Sequence, residues 1–194
     1  MGRMHTKLIE GWRSISDKNA LGWAVLDTKS ETLLCATLAV SINRYAGKRI
    51  AHVEYPPRLD LVILKDRQPS RPRKHLANLP GAIEMAYEAK AAALFTFAPG
   101  MKTNALYLGG GLDEELKVMI RGRQAGIFFI VEVREPERHK AYFNGHVIDV
   151  GRAIALLRQQ VTHGDLVAHE TIDCGEADRT QVSIHMCVFD PRST

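Results

Sequence analysis

Tyr55 to Asp66 reads YPPRLDLVILKD, and Ala82 to Phe95 reads AIEMAYEAKAAALF. Both runs are mostly apolar, and both carry charge where a half-buried strand would ordinarily carry none. Their reading decides the fold. Leu59–Lys65 is strand-like, rich in branched residues and set off by Pro56-Pro57. Read as a strand, the second run alternates faces with a period of two. Ile83, Met85, Tyr87 and Ala89 then point one way, and Glu84, Ala86, Glu88 and Lys90 the other. Two carboxylates and an ammonium share a face. Asp60, between Leu59 and Leu61, can meet that face if the strands are neighbours. A helix competes for the second run, because Ala, Glu and Lys favour helices. In that case Glu84 and Glu88 are solvated and Lys90 is incidental.

Working outward, residues 5–15 and 30–45 show helical spacing of apolar residues, the second capped by Ser30. Arg49–Tyr55 reads as a strand. Residues 66–81 form a basic loop rich in proline. A glycine run, Gly109-Gly110-Gly111, leads into a helix from about Asp113 to Gln124. Ile127–Val133, IFFIVEV, is a buried strand. A helix over 149–161 and two strands, 166–173 and 181–189, close the chain. Helices interleaved with strands predict an α/β layer fold around one mixed sheet.

The bulk properties set the frame. With 194 residues, 45% hydrophobic and 25% charged, the chain fits a single domain with a sizeable core. No apolar run is long enough to cross a membrane or to serve as a secretory signal. Three cysteines, Cys35, Cys174 and Cys187, without a CxxC pair read as reduced thiols, which predicts a cytoplasmic setting. The net charge of +4 permits a polyanionic partner without demanding one.

Carboxylates among apolar residues persist when paired or metal-bound. Clustered oxygens suit Mg²⁺. A nearby lysine can orient a water or balance charge on a phosphoryl transition state. This chemistry points to metal-assisted phosphodiester hydrolysis. The stretch HVEYPPRLDLVIL … AIEMAYEAK resembles the core of the PD-(D/E)xK nuclease superfamily, over roughly residues 30–133. That resemblance implies a restriction-endonuclease-like mixed sheet flanked by helices, followed by the C-terminal helix and strands of 149–189. It implies Mg²⁺- or Mn²⁺-dependent endonuclease cleavage of DNA. Asp60 matches the family aspartate, Glu88-Ala89-Lys90 the Glu-x-Lys triplet, and Glu31 the acid of the preceding helix. Asp60 and Glu88 would hold the metal and Lys90 would assist the water. A second alignment puts Glu84 in the acidic position with Ala86 in the lysine's place. Glu84 is then the metal ligand, and a protein truly lacking the lysine would bind nucleic acid or a protein partner without cutting. Families of this kind often work as homodimers.

Arg67, Arg71, Arg73 and Lys74 in the basic loop could neutralise duplex phosphates, or simply be solvated. The glycine run could hold a phosphate at a helix start, although the acids that follow would repel it, and a turn is the simpler reading. His169, Cys174, His185 and Cys187 could attract zinc but fit no zinc spacing. Trp12, Trp23 and Tyr45 read as packing aromatics.

Overall fold

A computed structural model of the chain describes residues 5–27, 30–55, 59–65, 83–99, 111–118, 124–135, 141–143 and 146–191. Three helices come first: α1 (Thr6–Arg13), α2 (Lys18–Asp27) and α3 (Ser30–Ala46). The strands β1 (Ala51–Tyr55), β2 (Leu59–Leu64) and β3 (Ile83–Ala93) follow, then α4 (Gly111–Val118) and β4 (Gln124–Arg134). A short ladder, β5 (Ala141–Phe143) with β6 (His146–Ile148), precedes α5 (Val150–Gln160), β7 (Gly164–Ala177) and β8 (Thr180–Pro191). The expected α/β architecture is present, as a six-stranded mixed sheet in the order β1-β2-β3-β4-β8-β7. The run at 82–95 is a strand over Ile83–Ala93 and ends in a 3₁₀ turn at Leu94–Phe97. Pairing on both edges, with β2 and β4, overrides its helix-friendly composition.

The sheet explains why β4 reads as a continuous apolar run. It lies between β3 and β8, parallel to the first and antiparallel to the second, and helices cover both faces. On one face Ala125, Ile127, Phe129 and Val131 join Trp12, Leu34, Leu38 and Ile42 from α1 and α3. On the other, Phe128 and Ile130 pack with Leu112 and Leu116 of α4 and Ala153 and Leu157 of α5. The parallel step from β3 to β4 requires a crossover, and α4 lies on it. Leu112 can lie flat on the sheet because Gly126 carries no side chain: a Cβ there would come 2.7 Å from Leu112 Cδ1. Gly164 admits Leu116 in the same way, with the same 2.7 Å clash in prospect.

Several sequence expectations change. Helix α2 was not anticipated at all. It is apolar on several sides, so it shows no clean stripe, and it docks on β7 with Leu21 and Val25 buried. Trp23 and Tyr45 do not pack into the core: they are exposed, and only Trp12 among the three is buried. The last two strands run on past their expected ends, to Ala177 and back from Thr180, as a hairpin closed by Asp178-Arg179. Both turn residues have positive φ, 46° and 60°, the twist that a two-residue hairpin favours. Asp-Arg is an unusual pair for that turn, so no local hairpin signal marks it.

Candidate active site

Asp60 lies on β2 and Glu88 and Lys90 on β3. The two strands are antiparallel with Leu61 opposite Tyr87 and Val62 opposite Ala86. Continuing that register places Asp60 opposite Glu88. The ladder itself stops at Leu61 and Tyr87, and the side chain of Asp60 takes over: Ala89 N–H donates to Asp60 Oδ2 at 2.7 Å. A carboxylate bound to a backbone N–H is a charge-assisted bond, worth roughly 1.5–3 kcal/mol. This is one reason for an aspartate in an apolar strand. It satisfies the first β3 donor that β2 no longer reaches.

Lys90 Nζ donates to Glu88 Oε1 at 2.7 Å and to the carbonyl of Ala89 at 2.9 Å. The Glu88 side chain is 15% exposed and that of Lys90 32%. Burial raises the Glu88 pKa, and the nearby charges of Asp60 and Glu115 add to it, while the Lys90 bond and charge oppose; the net direction is up. Burial pulls Lys90 down, but the Glu88 bond and charge, with Glu31 and Asp60 behind them, more than compensate, and its pKa is raised. The ammonium is therefore retained at neutral pH. Glu31, in the first turn of α3, also acts with Asp60 and Glu88 on the buried thiol of Cys35, whose pKa rises chiefly through burial. Three of the expected acids, Glu88, Glu31 and Asp60, are thus within electrostatic reach of Lys90.

Glu84 does not join them. The register shifts between Ile63 and Leu64, so that Leu64 pairs with Ile83 and Glu84 is the extra residue of a bulge. Ile83 then packs beside Val62, Leu64 and Ala86, on the face where strict alternation had put Glu84. Glu84 turns instead to α1, where Lys7 Nζ donates to its Oε2 at 2.5 Å. One inserted residue reversed the parity on which the sequence argument rested. Ala86, the position of the missing lysine on the second alignment, is buried under Val62 and Leu64.

Arg67, Arg71, Arg73 and Lys74 lie outside the described residues. The residues weighed for zinc have other occupations. Cys174 and Cys187 are in the cores on opposite faces of the sheet. His185 is bonded to Glu132 (3.1 Å) and Thr171 (3.0 Å), with His169 stacked on it. Among the described residues no three His, Cys, Asp or Glu side chains are grouped closely enough to hold a metal ion by themselves.

Two neighbours of the site were missed from the sequence. Glu115 of α4 contributes charge at Glu88. Gly111, the first residue of α4, lies against the Lys90 side chain: a Cβ built on it would be 3.3 Å from Lys90 Cε. The glycine run predicts a turn before a helix starting at about Asp113, whereas the helix begins at Gly111. Only the crossover from β3 to β4 brings it over Lys90, and no local pattern encodes that. No protein-family model, no curated protein and no solved structure matches the chain.

Proposed function

We propose that the protein is a Mg²⁺- or Mn²⁺-dependent phosphodiesterase acting on DNA, with a restriction-endonuclease-like core formed by α3, β1 to β3, α4 and β4. The observation that carries this reading is the convergence of Asp60, Glu88 and Lys90 where the β2–β3 ladder ends. The order of elements supports it: a helix, a three-stranded antiparallel meander, a crossover with a helix, and a parallel fourth strand.

The donor set fits a hard divalent cation. Among the described residues Asp60 Oδ1 and Glu88 Oε2 have no hydrogen-bond partner, while the second oxygen of each is occupied. Two carboxylates do not make a complete cage, but Mg²⁺ keeps several waters and commonly takes one or two carboxylates plus substrate phosphate. The raised pKa of Glu88 reflects burial and crowded negative charge, which a cation would relieve. The metal would supply charge neutralisation at the phosphate and a more acidic water. Lys90, held as an ammonium, is a hydrogen-bond donor to an attacking water or a phosphoryl oxygen, not a base.

A plasmid-nicking assay with Mg²⁺, with EDTA, and with Asp60→Ala and Lys90→Met tests the proposal. Nicking that needs Mg²⁺ and vanishes in both variants is expected. Nicking that survives EDTA and Asp60→Ala would remove metal and Asp60 from the mechanism. Salt-sensitive DNA binding with no nicking under any divalent ion would leave a non-catalytic binding module of the same fold.

A further inference from the structure

We propose that the first turn of α4 is a positioning wall for Lys90, with Gly111 as its contact point; as a statement about the reaction, this rests on the nuclease reading above. Lys90 leaves β3 on the face that α4 covers. Its Cε would be 3.3 Å, and its Cδ 3.9 Å, from a Cβ on Gly111. The first distance is tighter than ordinary van der Waals contact, so any side chain at 111 requires the lysine stem to move by a few tenths of an ångström. On the other side, Lys90 Nζ is held by Glu88 and by the Ala89 carbonyl. The ammonium is thus confined between a carboxylate and a helix start that has no side chain to spare.

The wall is fixed independently of Lys90. Leu112 and Leu116 lie in close approach over Gly126 and Gly164, which have no Cβ to push α4 away. Asp113, buried, accepts from His163 N–H at 2.6 Å, from His163 Nδ1 at 2.8 Å and from Thr162 Oγ1 at 2.8 Å. These contacts tie the helix start to the segment leading into β7. Adding a methyl at 111 therefore moves the flexible lysine and not the helix. Alanine is also the better helix former, so the substitution should not destabilise the fold.

The test reads Lys90 directly. Lysines of the wild type, Gly111→Ala and the exposed same-turn control Glu114→Ala are reductively methylated with ¹³C, and the Lys90 resonance is identified by its absence in Lys90→Arg. The expected result is a shifted Lys90 resonance in Gly111→Ala, because the stem is displaced and the bond to Glu88 is loosened. Glu114→Ala should leave the resonance unchanged, and thermal melting of Gly111→Ala should be no lower than wild type. Nicking by Gly111→Ala should fall about tenfold in kcat with KM little changed, as sub-ångström misplacement of a catalytic group implies. Leu112→Ala, which empties the contact over Gly126, is the second probe and should also move the signal. A Lys90 resonance unmoved in both variants overturns the positioning role, whatever the activity. A moved resonance in a protein that nicks no DNA at all keeps the wall and discards the nuclease reading.

Discussion

Under the proposed function Asp60 would have two separable tasks, and a pair of substitutions distinguishes them. Its Oδ2 accepts the Ala89 N–H where β2 ceases to pair with β3, and its Oδ1 is the oxygen assigned to metal. Asn in place of Asp keeps a side-chain acceptor for the amide but loses the charge. Ala loses both. A charge-assisted bond is worth roughly 1.5–3 kcal/mol and a neutral one about 1 kcal/mol. Asp60→Ala should therefore cost about 2 kcal/mol, and Asp60→Asn, which keeps a neutral bond, about half of that. At 2–4 °C per kcal/mol for a domain of this size, the alanine variant should melt roughly 4–8 °C below wild type. Urea unfolding monitored by Trp12, which is buried, gives the free energies. Nicking should be lost in both variants, since an amide oxygen is a poor substitute for a carboxylate on Mg²⁺. Equal stability of the two variants would refute the bond to Ala89. Full nicking by Asp60→Asn would refute the ligand role.

Three further outcomes follow from the same geometry. Glu84→Gln should leave nicking unchanged and lower stability by less than about 1 kcal/mol in urea unfolding, because its pair with Lys7 is partly exposed and on the other face. Asp113 has a folded pKa lowered from 3.8: burial opposes its ionisation, but the bonds from His163 and Thr162 outweigh burial. Its contribution is present above the unfolded value and is lost as pH falls through the folded one. Wild type should therefore lose stability faster than Asp113→Asn as the pH drops below about 4, as read by denaturant midpoints across that range. Arg179→Gly should raise stability by about 1 kcal/mol, since Arg179 holds a φ of 60° in the hairpin turn and pays the left-handed cost that glycine avoids; its melting temperature is the readout.

Much of the fold was legible because it depends on patterns that are local. The IFFIVEV run is apolar on both faces because both faces of β4 are covered, and helix α3 shows its core stripe in sequence. What was lost depends on pairing. The bulge at Glu84 is one residue out of step with β2, and nothing in AIEMAYEAK marks it. The same limit applies to the hairpin at Asp178-Arg179, where the strands impose positive φ on residues that do not prefer it. The site divides along the same line. Glu88 and Lys90 could be named because alternation within one strand predicts a shared face, and Asp60 on the condition that its strand pairs beside theirs. Gly111 and Glu115 could not, because only the crossover from β3 to β4 brings α4 over Lys90 and Glu88.

If Glu88 holds the proposed metal, its pairing with Lys90 would set lysine and metal in competition, a dissociation that neither a structural nor a purely catalytic lysine would produce. Lys90 occupies one oxygen of Glu88 and adds positive charge beside the remaining one. In Lys90→Met that charge is gone, so at pH 8 a divalent cation should bind more tightly. Two unit charges about 4 Å apart near a protein surface exchange up to roughly 4 kcal/mol. Screening and the partial exposure of Lys90 leave a fraction of that, so an affinity gain of about tenfold is expected. The sign should weaken toward acid. Lys90 opposes the upward push of burial on the Glu88 pKa, so without it Glu88 rises further and a proton competes with the metal. The gain at pH 8 should shrink by pH 6, while nicking is lost throughout because the ammonium donor is missing. Mn²⁺ titration followed by electron paramagnetic resonance at both pH values measures the affinities. Weaker Mn²⁺ binding by Lys90→Met at pH 8 would mean that the lysine organises the carboxylates for metal instead of opposing it, and the assignment of Glu88 Oε2 as the free ligand oxygen would fall with it.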